Sequence, residues 1–182
     1  MSIFYAFHVV TEHRMYLGQH IIFDENHHNG VYKRVMDKLP VVNDIYAHPD
    51  KYTEKELDYP TIVALRELAL EEVRVKKYPS YPSRMACLYV SNDLQTALDW
   101  AEYFIKIGRP TFQIVKIKVN GNIFTGDAVK CFDATIDKSS NLIMAERYWR
   151  NEDNSPDEPP INEILVSGDL EVAEILKEYG NT

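Results

Sequence analysis

The sequence predicts an α+β fold in a single domain spanning residues 1–182. Three observations carry that expectation. Residues 3–10 read Ile-Phe-Tyr-Ala-Phe-His-Val-Val, a nearly continuous apolar run of the kind found in strands covered on both faces. In residues 111–119, Val115, Ile117 and Val119 alternate with Lys116 and Lys118, the period-two pattern of a half-exposed strand. Leu94, Ala97, Leu98, Ala101, Phe104 and Ile105 recur at helical spacing and define one buried helix face.

The stretch from Ser83 to Ile105 is the centre of this pattern. Residues 85–90 form a short apolar strand, Ser91-Asn92 a polar break, and the amphipathic helix follows. Asn92 with Gln95 three residues later is a capping-box pattern for the helix start. Gly108 is placed to close the helix in a left-handed conformation, and Pro110 bars its continuation.

Upstream, residues 15–23 form either a second short strand or an extended loop around Gly18-Gln19. Residues 24–30 have loop composition. Their paired His27 and His28 lack a third ligand at metal spacing, so no metal site is expected. Residues 31–39 read as a short helix ended by Pro40, and residues 41–57 support short helical turns only. Asp58 as N-cap and Pro60 in the first turn start a further helix. Its face bearing Arg66, Glu67, Glu71 and Arg74 is expected to be solvated.

Downstream, Asn120-Gly121 is a two-residue hairpin signal, with the chain returning through Asn122-Ile123-Phe124. Residues 141–150 read as a helix, and the acidic, Pro-rich residues 151–160 as a mobile surface loop. Residues 161–166 and 170–176 are two strands joined by a tight turn at Gly168-Asp169.

A net charge of −8 excludes nonspecific nucleic-acid binding, which needs a Lys/Arg surface to displace counterions from phosphates. No apolar run approaches the roughly 20 residues that cross a bilayer. Met1 to Val10 lacks a basic leader region and a cleavage site, so a cytoplasmic protein with no membrane partner is expected. Cys87 and Cys131 follow no metal spacing and read as reduced thiols.

Three residues stand out against their strands: His8, Tyr89 and Glu163. His8 interrupts an apolar strand and reads either as a hydrogen-bonded core residue or as a ligand contact. Tyr89 lies where a buried strand gives way to a helix, a corner at which α/β folds present ligands. Glu163 shares a strand face with Ile161 and Leu165, and a carboxylate so flanked is at an edge, ion-paired or functional. Arg84, just before the central strand, could pair with a phosphate or a carboxylate, or be an exposed loop residue.

The segment Ser83-Arg84-x-x-Cys87-Leu88-Tyr89-Val90-Ser91, with the closing Glu163-Ile164-Leu165-Val166-x-Gly168, resembles a family of small uncharacterised bacterial proteins over most of the chain. That family in turn is similar to the ADP-ribosyltransferase superfamily. The resemblance implies a split β-sheet core with helices packed against it, and NAD as substrate. It implies that His8 in Phe-His-Val-Val holds the adenosine ribose. Tyr89, followed by Ala97 and Tyr103, would stack on the nicotinamide. Glu163 would bond the nicotinamide ribose and steady the cation formed as nicotinamide leaves. Arg84 and Tyr103 complete the expected NAD-binding set, and the acceptor of ADP-ribose is an unidentified protein or small molecule.

Two positions depart from that family's pattern. Val9 stands where Gly usually follows the His. Ile161 stands two residues before Glu163, where arginine-modifying members carry a second acid, so arginine is the less expected acceptor. The residues leave three readings open: a transferase, a nucleotide-binding module without turnover, and a protein-interaction domain with a Tyr-rich surface.

Overall fold

A computed structural model describes residues 3–152 and 159–180. The architecture is α+β, with two antiparallel sheets and helices. The described residues cluster into two compact units, between which the chain passes at residues 27/28, 86/87, 125/126 and 162/163.

The first unit holds the sheets. Strands β1 (Phe4–Val10), β2 (His20–Phe23), β4 (Gln113–Asn120) and β7 (Gly168–Glu178) pair in the order β1-β4-β7-β2. Strand β3 (Leu88–Val90) pairs with β6 (Asn162–Val166), and β5 (Ile123–Asp127) lies beyond β6. Ala6, Val10, Val115, Ile117, Leu170 and Val172 from the larger sheet meet Leu88, Val90, Ile164 and Val166 from the smaller one in a shared core. Helix α4 (Leu94–Lys106) packs Ala97 and Ala101 on Val9 and Ile114, on the other face of the larger sheet.

Two hairpins read from the sequence are instead crossings between sheets. After Asn120 the chain leaves β4 and enters β5 in the other sheet, and after Val166 it leaves β6 for β7. The crossings lie against each other, because Asn122 and Ser167 exchange both backbone hydrogen bonds (3.1 and 3.0 Å). A Cβ on Gly121 would sit 1.9 Å from the Ser167 carbonyl oxygen, so only glycine permits this approach. Gly168 (φ +102°) is equally confined, since a Cβ there would stand only 2.6 Å from the Asn120 oxygen.

Helix α4 starts one residue later than its capping-box pattern predicts. Asp93, not Asn92, is the N-cap and accepts from the Thr96 N–H at 2.7 Å, while Gln95 bonds Asp99 instead. Its end matches expectation: Gly108 is left-handed (φ +76°) and donates to the Ile105 carbonyl.

The second unit is helical: α1 (Gly30–Asp37), α2 (Leu39–Ala47), α3 (Tyr59–Lys77) and α5 (Lys138–Arg150). Pro40 does not end a helix. It occupies the first turn of α2, where its missing N–H removes no bond. Asp58 caps α3 as expected, accepting from Thr61 at 2.8 Å. The charged face of α3 is not solvated. Glu67 is 3% exposed and Arg66 and Arg74 are largely covered, because each charge is paired within the unit. The acidic loop expected over residues 151–160 lies largely outside the described residues.

Candidate functional site

The β3–β6 ladder orders two of the singled-out residues. Leu88 pairs with Val166, Tyr89 with Leu165, and Val90 with Ile164. Directly opposed residues on an antiparallel pair point to the same face, and alternate residues share it. Leu88, Val90, Ile164 and Val166 face the core between the sheets. Tyr89, Leu165 and Glu163 therefore share the opposite face, with Glu163 one residue beyond the last pair. Tyr89 and Glu163 are diagonal neighbours, roughly 7–8 Å apart at that spacing. Both are half-buried, whereas Leu165 between them is sealed. Ile161, the third residue of the predicted face, precedes β6 and is 48% exposed.

His8 approaches from the other side. It alternates with Ala6 and Val10 on β1 and lies opposite Val115, so its ring shares their core-facing side. Beside it, Phe7 and Ser91 exchange both backbone hydrogen bonds at 2.8 Å, a bridge that joins β1 to the end of β3. Past that bridge the strands part, and His8 Nδ1 takes the Tyr89 carbonyl at 2.8 Å. A carbonyl only accepts, so the proton resides on Nδ1. Burial drives the imidazole pKa down from 6.5 to about 4; the Tyr89 bond opposes this and the nearby Arg109 charge adds to it. The ring is thus neutral at pH 7, with Nε2 left as a lone-pair acceptor. His8 retains partial surface exposure despite dense surroundings, and Nε2 has no hydrogen bond among the described residues.

The three residues thus gather at one end of the β3–β6 ladder, with the imidazole on one face and the phenol and carboxylate on the other. His8 touches the backbone of Tyr89, not its ring. Tyr103 belongs to α4 in the same unit, 51% exposed and edge-on to Trp100 at 5.8 Å. Arg84 belongs to the second unit. Its guanidinium, 6% exposed, donates to Glu67 at 2.9 Å and to the Tyr148 hydroxyl at 2.7 Å. The carboxylate partner read from the sequence is this chain's own.

Sequence reasoning missed Arg109. It stands between Gly108 and Pro110, whose composition signals a helix stop and carries no information about the cation between them. Its Nη2 donates to Thr11 Oγ1 at 3.1 Å, and its guanidinium lies 4.5 Å from the Phe104 ring centre. Among the described residues, no group of three or more His, Cys, Asp or Glu is arranged for a metal ion. His27 bonds Asp24 and His28 stacks on Tyr32. A surface hollow of about 280 Å³ lined by Ile3, His20, Lys118, Val119, Asn120, Asp169 and Glu171 contains none of these candidate residues. No helix among the described residues is long and apolar enough to cross a membrane.

Residues 6–178 match the model of a family described as a protein of unknown function, DUF2441. A comparison with curated proteins finds no match. The chain belongs to the DUF2441 family.

Proposed function

We propose that this chain binds NAD and transfers its ADP-ribosyl group, with His8, Tyr89 and Glu163 as the working residues. The observation that carries this reading is the His8 Nδ1–Tyr89 carbonyl bond. It fixes the tautomer and leaves Nε2 as a neutral acceptor nitrogen near the point where β1 and β3 part. A neutral acceptor nitrogen can take the proton of a ribose hydroxyl, leaving the hydroxyl oxygen free to accept from another donor.

On the other face of the ladder, the half-buried phenol of Tyr89 offers a flat surface for the nicotinamide ring. Glu163, diagonal to it, is the anion near which a ribosyl cation would develop. NAD would then wrap around the end of β3–β6, with its adenosine ribose on the His8 side and its nicotinamide riboside on the Tyr89–Glu163 side. As the bond between ribose C1′ and the nicotinamide nitrogen breaks, its electron pair leaves with neutral nicotinamide. Glu163 stabilises the oxocarbenium-like centre until an acceptor nucleophile adds to C1′ and releases a proton. Ile161, in place of a second acid two residues before Glu163, favours an acceptor other than arginine.

Nicotinamide release from NAD tests the reading. Glu163→Gln removes a charge that acts chiefly in the transition state. Turnover should fall about 10²- to 10³-fold while NAD affinity changes little. Equal turnover in wild type and variant would remove Glu163 from catalysis. Calorimetric NAD binding without turnover in either protein would instead identify a binding module, and absence of NAD binding would end the proposal.

A further inference from the structure

Helix α4 covers only part of its side of the larger sheet, packing on Phe7 and Val9 of β1 and Ile114 of β4. Alternate residues share a sheet face, so Tyr5, Lys116 and Lys118 continue that face beyond the helix. Pairing carries it on across β7 and β2, where Lys118 lies opposite Glu171 and Glu171 opposite His20. This stretch is open: Ile3 is 61% exposed, Tyr5 43% and Ile22 49%. The hollow of about 280 Å³ lies within it, lined in part by Ile3, Lys118 and His20.

The helix has an uncovered side of its own. Away from Ala97 and Ala101, Gln95, Asp99, Glu102 and Lys106 form a polar stripe at helical spacing. Exposed Leu94 and Ile105 flank it on one side and exposed Tyr103 on the other. Among the described residues Glu102 has no cationic partner and Lys116 no carboxylate, its ammonium lying 5.0 Å from the Tyr5 ring centre. An acidic stripe between apolar flanks thus stands on the same sheet as a lysine-bearing strand between apolar flanks. Each surface has the charge and the apolar edges that the other lacks.

We propose that two copies of this chain associate about a two-fold axis, the α4 of each seated on the open stretch of the other's larger sheet. Every helix-to-sheet contact is then made twice, as two-fold symmetry requires. The carboxylates of the stripe meet the β4 lysines, the apolar flanks meet Ile3, Tyr5 and Ile22, and the hollow receives a protruding α4 side chain. One contact covers both exposed surfaces, and it is independent of the NAD reading.

Sedimentation equilibrium of the full chain tests it, and should give twice the chain mass of 21.1 kDa. Glu102→Lys and Lys116→Glu should each weaken dimerisation roughly 10- to 100-fold, because each sets like charges together at both copies of the contact. An equimolar mixture of the two variants should recover the dimer, since every contact then joins opposite charges. A chain carrying both substitutions should recover it for the same reason, and circular dichroism checks that all the variants fold. A wild type that stays monomeric up to about 1 mM would overturn the inference and leave this face to a different partner. A dimer that neither variant weakens would also overturn it, as would two weakened variants whose mixture stays monomeric.

Discussion

In the helical unit, Glu67 is 3% exposed and is met by Arg84 at 2.9 Å and Arg66 at 3.2 Å, while Glu71 takes Arg74 in two bonds and the Ser83 hydroxyl in a third. In the sheet unit, burial instead neutralises His8, Arg109 meets a ring and a hydroxyl, and the Tyr179 hydroxyl is buried without a partner among the described residues. One unit answers each of these buried charges with a charge of its own. The other leaves polar capacity unclaimed at one end of its strands. Matched ion pairs hold a structure together and have little left for a ligand, whereas groups kept short of partners are the ones a ligand can complete. His8, Tyr89, Tyr103 and Glu163 lie in the sheet unit, whereas Arg84 is ion-paired within the helical one.

The largest test of this contrast is Glu67→Gln. Removing the carboxylate leaves two guanidinium groups in a covered site with no counter-charge, and breaking such a pair costs about 3–5 kcal/mol. Urea unfolding of the variant should show a loss of that order with the slope unchanged. A loss below about 1 kcal/mol would mean that the pair acts as an exposed one does, and the contrast between the units would dissolve.

His8 supplies the next test, through pH. At pH 7 the imidazole is neutral in the folded chain and mostly neutral in the unfolded one. Below its unfolded pKa of 6.5 the unfolded chain gains a proton that the folded chain refuses until about pH 4. Stability therefore declines as pH falls across that window and levels off beneath it, by up to about 3 kcal/mol. Arg109 is the charged group acting on this ring among the described residues, and it pushes the same way as burial. The difference in unfolding free energy between wild type and His8→Gln, followed from pH 7.5 to 4, isolates this contribution from titrating carboxylates. A flat difference would place the ring in solvent.

How much of this was legible in the sequence varies with the range of the interaction involved. Local chemistry read well: Asp58 as a cap, Gly108 as a left-handed stop and the alternation of β4 depend on near neighbours. The Asn120-Gly121 and Gly168 signals correctly marked turns, but turn composition does not say which strand the chain joins next. Both glycines answer to a close approach between two distant backbone segments. The solvated reading of Glu67 failed for a similar reason, since helical spacing cannot reveal that Arg84, 17 residues onward, returns to meet it. His8, Tyr89 and Glu163 were singled out as anomalies within strands, and the register brings them to one ladder end. Their division between its two faces required the pairing of β1, β3 and β6, which no single segment encodes. Arg109 was hidden because its neighbours signal only the helix stop.

The smallest effect is also the most direct reading of unclaimed polarity in the sheet unit. Tyr179 packs on the cluster beneath α4 with Val9, Ala97, Ala101 and Ile114, and its hydroxyl meets no partner there. A buried hydroxyl without a hydrogen bond is destabilising by about 1–3 kcal/mol, and phenylalanine keeps the ring while removing it. Tyr179→Phe should therefore leave the fold intact and raise unfolding free energy by about 1 kcal/mol, measured by urea titration beside wild type. The backbone bonds that fix its position, to Phe112 and from Arg14, do not involve the hydroxyl and stay in place. A destabilised Tyr179→Phe would show that the hydroxyl has a bonding partner in solution. The sheet unit would then satisfy its buried polar groups as fully as the helical one does, and the distinction would rest on His8 and Arg109 alone.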